Sequence, residues 1–434
     1  MKVQCVQTAH KKELQVAGAV SGACRICGTP LRYTFVNLGM SPLCENILTA
    51  SQLDEMEAYF PLHVRVCEHC FLVQLNQYVT PETIFREYAY FSSYSTSWTT
   101  HAKDYCKMIT ARLALNSDSL VVELASNDGY LLQHFLPFDV PVLGVEPAVN
   151  VAQVAIKRGI PTRTEFFGFE VANKMVAEGL QADLIVGNNV LAQVPDLNDF
   201  VSGIAVLLKP YGVVTLEFPH LQRLMEESQF DTIYHEHFSY FSLLTVLQLA
   251  KRHGLKVFDV DELSTHGGSL RIYLAHAEAP FRQEPRVSKM LDQERVFGLD
   301  EISTYASFAR RAERVKRNLL AYLIGTKDEG RTICGYGAPG KGNTLLNYCG
   351  IGTDFLKFTV DRNPYKHGRF TPGMHIPIKS PEAIDEFKPD YILILPWNLK
   401  KEIIHQMRHV GEWGGKFIVP IPSVEIIDPR EDLA

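Results

Sequence analysis

The sequence predicts an α/β chain in which a small cysteine-bearing strand module is followed by two doubly wound α/β domains. Three observations carry that reading. Two Cys-x-x-Cys pairs lie in a stretch of short strands and turns between Gly22 and about Thr80. From about Pro81 to Ala277, apolar strand-like runs alternate with helix-like stretches, the pattern of a layered sheet. A second alternation begins at Thr332, after a charged, helix-favouring bridge from Gln293 to Ile324. A chain of 434 residues, 46% hydrophobic and 21% charged, can bury more than one core, because single cores stop growing near roughly 250 to 300 residues. The expected divisions are residues 1–80, opening with an aperiodic extension, then 81–292 and 293–434.

Charge and hydropathy remove several classes of function. With a net charge of -6, the chain has no global basic field for a nucleic-acid backbone or an anionic membrane surface. No apolar run approaches the ~20 residues needed to span a bilayer, and the first residues lack a secretory pattern, so a cytoplasmic protein is expected. Nine cysteines, an odd number in a long chain, argue against a disulfide scaffold. Cys24-Arg-Ile-Cys27 and Cys67-Glu-His-Cys70 instead have the local spacing at which four thiolates converge on one zinc ion. Buried free thiols are the other account, but two such pairs rarely coincide by chance. Four sulfur ligands leave no open coordination position, so the metal would be structural, with His69 a bystander.

In the middle region the strand candidates are Leu120 to Leu124, Val142 to Glu146, Leu184 to Gly187, Gly212 to Phe218, Lys256 to Val260 and Ser269 to Ala275. The run VELASNDGYLL places Glu123 and Ala125 before a turn at Asn127, Asp128 and Gly129. Such a strand, turn and helix presents backbone amides at the switch point of a doubly wound sheet, where adenosine-type ligands bind. Alone it is a weak signal, lacking a full G-x-G-x-x-G. The next strand strengthens it, because Glu146, followed by Pro147, stands about 17 residues beyond Gly129, where a carboxylate accepts from ribose hydroxyls. A third strand ends in Asn188 and Asn189. With the following Leu-Leu-Lys-Pro and glycine-led strand, this region resembles class I methyltransferases, which implies S-adenosylmethionine as cofactor.

Tyr234-His-Glu-His-Phe-Ser-Tyr240 packs two imidazoles, a carboxylate and two phenols into one short segment. Base catalysis, a His-x-His metal site and aromatic packing all fit it, and a histidine is the natural base beside a ketone near neutral pH. In the last region, strand candidates are Thr332 to Tyr336, Phe358 to Asp361, Tyr391 to Leu395 and Lys416 to Pro420. The turn Gly335-Tyr-Gly-Ala-Pro-Gly-Lys-Gly342 carries Tyr336 and Lys341, with Asn343 just beyond, and its amides and ammonium could hold a diphosphate. It is not a Walker loop, since no Ser or Thr follows the lysine. Asp361, Arg362, Lys366, His367 and Arg369 add charge nearby, and His266 to Arg271 should lie at the domain junction.

The order of the knuckles, VELASNDGYLLQ, GVEPA, NNVLA-x-VPD, EFPH, YHEHFSYFS, HGGSLR, GYGAPGKGNTLLNY, DRNPYKHGRFTPG and LPWN resembles the sugar C-methyltransferases that act on nucleotide-linked 4-keto-6-deoxy sugars. The resemblance runs from about Ala23 to the end. It implies a zinc-binding module, a central class I methyltransferase (Rossmann-like) domain and a C-terminal Rossmann-like α/β domain that holds the nucleotide end of the sugar. It also implies that His237 is the base that removes the C3 proton, with Tyr234 and Glu236 tuning the site, and that Tyr88, Tyr90 and Tyr94 close over sugar and donor. Those tyrosines could equally be packing. Gln193 stands where the family is expected to show histidine, and glutamine hydrogen-bonds but does not titrate. It either orients the substrate, alters its choice, or disables turnover. Two other readings stay open: a binding protein with impaired catalysis, and a nucleotide-sugar oxidoreductase, against which the C-terminal turn shows no clear acidic ribose ligand. Domains closing over one cleft need no second subunit, so a monomer is expected.

Overall fold

The computed structural model describes residues 22–85 and 91–431, so the N-terminal extension, Tyr88 and Tyr90 lie outside the described residues. Strands β1 (Tyr33–Pro42), β2 (Tyr59–Val66) and β3 (Val73–Leu75) form an antiparallel meander. The knuckles flank it. In each, the residue after the second cysteine takes positive φ, Gly28 at 76° and Phe71 at 59°, and its amide donates to the carbonyl of the first cysteine, Cys24 or Cys67. These turns bring the four Sγ atoms within 4.8 Å of one another, with Cys24–Cys70 at 3.4 Å, Cys27–Cys67 at 3.5 Å and Cys27–Cys70 at 3.7 Å. Four thiolates about 2.3 Å from a tetrahedral ion would stand roughly 3.8 Å apart, so the donor set fits zinc. His69 contributes only its backbone N–H, 3.4 Å from the Cys67 sulfur.

The central sheet contains β4 (Val121–Leu124), β5 (Val142–Val145), β6 (Thr162–Arg163), β7 (Ala182–Asn188) and β8 (Leu208–Pro219) in parallel register. The short strand β9 (Ser239–Tyr240) leaves this sheet and becomes the fourth strand of the zinc module, pairing with β3 through Val73–Tyr240 and Gln74–Ser239. Strands β10 (Leu255–Leu263) and β11 (Ser269–His276) then complete the central order β10-β11-β8-β7-β4-β5-β6, with β11 antiparallel to both neighbours. Val121–Leu124 is buried throughout, as an apolar run covered on both sheet faces requires.

The charged bridge is broken into helices Pro285–Phe297, Ile302–Tyr305 and Phe308–Asp328, because Gly298 ends the first in the left-handed region at φ 92°. The first of these helices crosses the expected division at residue 292. Beyond it, β12 (Ile333–Tyr336), β13 (Thr359–Val360), β14 (Arg369–Phe370), β15 (Pro377–Lys379), β16 (Tyr391–Ile394), β17 (Lys416–Val419) and β18 (Glu425–Ile427) form a second seven-stranded sheet. Its order is β14-β15-β13-β12-β16-β17-β18, parallel except at the two edges.

The zinc module is wedged between the two large sheets. Phe35 of β1 stacks on Phe308 with ring centroids 4.4 Å apart, inside a core that continues through Phe230 and Ile233 into the C-terminal sheet. The metal-binding cysteines and Leu72 join a second core with Leu197, Phe200, Val201 and the central sheet. No helix among the described residues is long and apolar enough to cross a membrane.

A closed four-thiolate site contributes folding free energy. Metal analysis should therefore find close to one zinc per chain, and Cys67→Ser should lose that zinc and melt about 5 °C or more lower. Parent protein free of zinc, or a Cys67→Ser protein with unchanged melting, would refute the assignment.

Candidate functional site

The first half of the site forms at the C-terminal ends of β4, β5 and β7, where strand order reverses between β4 and β7. After β4 the chain turns through Ala125, Asn127 and Gly129 at φ 56°, 50° and 77°. Asparagine and glycine tolerate that region; an alanine there is strained, a feature that clusters at ligand sites. Glu146 pins the loop, its Oε2 accepting from the Asn127 amide at 2.9 Å and its Oε1 from the Ala148 amide at 2.8 Å, across the turn containing Pro147. Burial pushes the Glu146 carboxyl up to about 7. Glu123 lies deeper, raised well above the usual range by burial and then by Glu146 and Asp128.

Residues just after the undescribed segment lash onto this loop. The Ser92 amide donates to Asn127 Oδ1 at 2.9 Å, and the Ser93 hydroxyl donates to Asp128 Oδ2, which also takes Arg158 at 3.2 Å. Phe91 stacks on Tyr365 of the C-terminal domain at 6.3 Å, and Tyr94 is 53% exposed. Four buried polar atoms, Glu123 Oε2, Asp128 Oδ1, Asn188 Nδ2 and Asn189 Oδ1, have no hydrogen-bond partner among the described residues. Buried polar groups are ordinarily satisfied, so orphans on the ends of adjacent strands fit a hydrogen-bonding ligand such as S-adenosylmethionine.

The second half is the segment Asp231 to Tyr240. His237 Nδ1 lies 3.1 Å from the Thr232 carbonyl, which makes Nδ1 the donor and leaves the lone pair on Nε2. The Tyr234 ring centroid sits 4.1 Å from that of the imidazole, and burial keeps the phenol well above its usual value and neutral. Burial draws His237 down to about 4, aided by the neighbouring His266 and the charge of Lys341. The buried Glu236 has Oε1 3.9 Å from Cys44 Sγ. The two histidines do not converge on a metal, for His235 turns to the Pro61 carbonyl at 3.3 Å and to the rings of Phe60 and Tyr78. The Phe238 amide donates to the Ala192 carbonyl at 2.7 Å, so the turn carrying Gln193 packs beside this segment. The Gln193 side chain makes no hydrogen bond to the described residues.

His266, at φ 54°, joins the halves. Its Nε2 is 3.0 Å from Asn189 Nδ2, and Trp98 meets its ring edge-on at 4.9 Å. Arg271 belongs to a cluster that sequence reading passed over: Glu217 receives Arg271 at 2.7 Å, His101 at 2.9 Å and the Thr265 hydroxyl at 2.9 Å. Burial opposes its charge, but His101 and Arg271 together hold the Glu217 carboxyl below the usual range. Its place in EFPH, a carboxylate near the end of an apolar strand, was the available signal.

Most of the predicted phosphate-holding residues spend polar atoms on the chain's own groups. Asn343 Nδ2 donates to the Cys44 carbonyl at 2.6 Å. Lys366 is engaged by the Ala338 carbonyl at 2.8 Å and Glu45 at 3.3 Å, and Lys341 by Asn398 at 2.8 Å. Arg362 pairs with Glu402, Tyr336 donates to Gln406 at 3.4 Å, and Arg369 is exposed on an edge strand. Asp361 does occupy the end of the second strand, the acidic position missed in the sequence, but its oxygens take the Ala338 and Asn363 amides at 2.8 Å each. A Cβ on Gly340 would come within 3.1 Å of Glu45 Oε1 and 3.0 Å of Cys44 Sγ. The start of that helix thus faces the chain's own carboxylate, an arrangement that disfavours a dinucleotide there.

Loss of a charge-assisted bond from Glu146 is worth about 1.5 to 3 kcal/mol, so Glu146→Ala should weaken S-adenosylmethionine binding roughly ten- to a hundredfold. An unchanged calorimetric dissociation constant for the donor would remove Glu146 from the site.

Comparison with known proteins finds three successive family matches along the chain. Residues 24–85 match the family of zinc binding domains, residues 98–260 the family described as methyltransferase domain, and residues 264–422 the C-methyltransferase C-terminal domain. The C-methyltransferase NovU of Streptomyces niveus is 39% identical over 410 residues, covering 94% of this chain and 98% of its own. Among solved structures, the magnesium protoporphyrin IX methyltransferase of Synechocystis PCC 6803 shares 13% identity over 40% of this chain and 79% of its own, with a TM-score of 0.31. An S-adenosylmethionine-dependent methyltransferase from Clostridium acetobutylicum shares 11% over 41% of this chain and 92% of its own, with a TM-score of 0.33. On the near full-length match and the three successive domain matches, the chain belongs to the C-methyltransferase family, with a four-cysteine zinc-binding module, a methyltransferase domain of the S-adenosylmethionine-binding fold and the family's C-terminal domain.

Proposed function

We propose that this C-methyltransferase deprotonates C3 of a nucleotide-linked 4-keto-6-deoxy sugar and methylates the same carbon, as a step in making a branched deoxysugar. The observation that carries the reading is the tautomer of His237, which leaves Nε2 as a base in a segment packed against the ends of the donor-binding strands. When bound, S-adenosylmethionine supplies an electrophilic methyl carbon. The chain's part is to align the sugar, accept the C3 proton and hold charge on the C4 oxygen.

His237 enters this reaction neutral, because its proton affinity in the free site lies near pH 4. Such an imidazole is always available but intrinsically weak. Burying an anionic sugar nucleotide beside it raises that affinity toward the operating pH, so the substrate itself sharpens the base. Tyr234 stays a neutral phenol that can donate to the sugar, and Glu236 orients the segment from its buried position. The C-terminal domain carries the nucleotide end, with Arg362 and Arg369 among its exposed cations, and a single chain is the working unit of this proposal.

Replacing the base should show in both proton and methyl transfer. General-base catalysis contributes about 10²- to 10⁴-fold, so His237→Asn should lower turnover at least about 100-fold, and C3 exchange with solvent in step, at unchanged donor affinity. Parallel assays of Gln193→His should change turnover less than about tenfold if Gln193 orients the sugar; strong restoration from a feeble parent would mark glutamine as disabling. Exchange at the parent rate in His237→Asn would remove His237 as the base.

A further inference from the structure

The proposed reaction creates an anion on the sugar, yet His237 and His266 are neutral and the nearest carboxylates offer it no counter-charge. The first turn of helix Gly340–Cys349 supplies one. That helix is fastened to the base segment, the Thr344 hydroxyl donating to the Ile233 carbonyl at 3.2 Å. The Lys341 ammonium lies 5.0 Å from the centre of the Trp397 ring and donates to Asn398 Oδ1 at 2.8 Å. The same indole donates from Nε1 to Asp231 Oδ2 at 2.6 Å, and the neighbouring Thr232 carbonyl is the group that holds His237. Its far edge abuts the His266 loop, where a Cβ on Gly267 would meet Trp397 Cη2 at 2.8 Å. One tryptophan therefore touches the supports of both imidazoles, with an ammonium over its face.

An ammonium has three donors. Asn398 takes one, while Asp231, the carboxylate whose field reaches Lys341, accepts from the indole between them through Oδ2 and makes no hydrogen bond to the ammonium. Removing such a charge from water is costly unless it is paired, so an under-satisfied lysine is expected to meet an anion. Its field also lowers both His237 and His266, which places it within electrostatic reach of each.

We propose that Lys341 is a catalytic residue that holds the enolate oxygen at C4, not a diphosphate ligand; this rests on the C3-deprotonation reading. His237 Nε2 takes the C3 proton, the C3–H pair becomes the C3–C4 double bond, and the carbonyl pair moves onto O4 against the Lys341 ammonium. The C4 carbonyl then reforms as the C3 pair attacks the methyl carbon, the carbon–sulfur bond breaks with its electrons going to sulfur, and the imidazolium proton passes to water. Lys341 stays protonated throughout.

The test measures C3 hydrogen exchange in deuterated water, turnover, and calorimetric binding of donor and of a thymidine-diphosphate 4-keto-6-deoxy sugar. Lys341→Met should lower exchange and turnover at least about 100-fold while both affinities stay within about threefold, and Lys341→Arg should recover to within about tenfold of the parent. Asn398→Asp, which neutralises the ammonium where it stands, should cut exchange about tenfold or more without deleting the lysine. Weaker sugar-nucleotide binding with exchange intact would make Lys341 a phosphate ligand and overturn the proposal. Lost donor binding in Lys341→Met, with exchange intact in Asn398→Asp, would overturn it as a structural effect. Parent protein that binds the sugar nucleotide without exchanging C3 would instead overturn the base reading, and this proposal with it.

Discussion

The guanidinium of Arg25 is the contact on which the assembly of this molecule turns. It sits inside the first zinc knuckle, between Cys24 and Cys27, and donates to the Phe238 carbonyl at 2.9 Å and to the Leu75 carbonyl while lying 5.5 Å from the centre of the Phe238 ring. The Arg25 amide donates to Gln74, and Asn198 donates to the Arg25 carbonyl at 2.7 Å. A single turn, fixed by metal ligation, thus grips the residue after His237 on one side and the helix after Gln193 on the other. Charge-assisted bonds of this kind are worth about 1.5 to 3 kcal/mol each where water is excluded. Burial lowers the Arg25 proton affinity to about 10, which still leaves it charged near neutrality. The four-cysteine knuckle sets the geometry from which β9 and the segment before it hang.

The two halves of the site are electrostatically unlike. The donor half concentrates Glu123, Asp128 and Glu146 out of water, and burial raises Glu123 and Glu146. Under the proposed placement of the donor, the single positive charge of its sulfonium relieves the cost of ionising these carboxylates. The acceptor half holds neutral imidazoles and the ammonium of Lys341. Under the proposed reaction, an anionic sugar and a cationic donor are thereby sorted to opposite sides of the cleft before either reacts.

Much of this fold could be read locally. Apolar runs such as Val121–Leu124 and Tyr391–Ile394 announce buried parallel strands, and the cysteine spacing announces the knuckles. The turn at Asn127 to Gly129 and the carboxylate at Glu146 follow from the rhythm of a doubly wound sheet. What could not be read depends on contacts between residues far apart in sequence. Ser239–Tyr240 looks like the tail of a polar motif, and only its pairing with Gln74 and Val73, far back in the zinc module, makes it a strand. Glu45 gives no local sign that it will face the helix at Gly340. The reach of Arg25 to Phe238 and Leu75 has no local sign either.

The proposed dependence of the base on the zinc knuckle is most directly measured in Arg25→Ala, by turnover at saturating donor and proposed sugar substrate together with zinc content and donor affinity. The account predicts at least about a tenfold fall in kcat, about one zinc per chain and an unchanged donor dissociation constant, with partial recovery in Arg25→Lys. Parent-level kcat in Arg25→Ala, with zinc and donor binding intact, would contradict it.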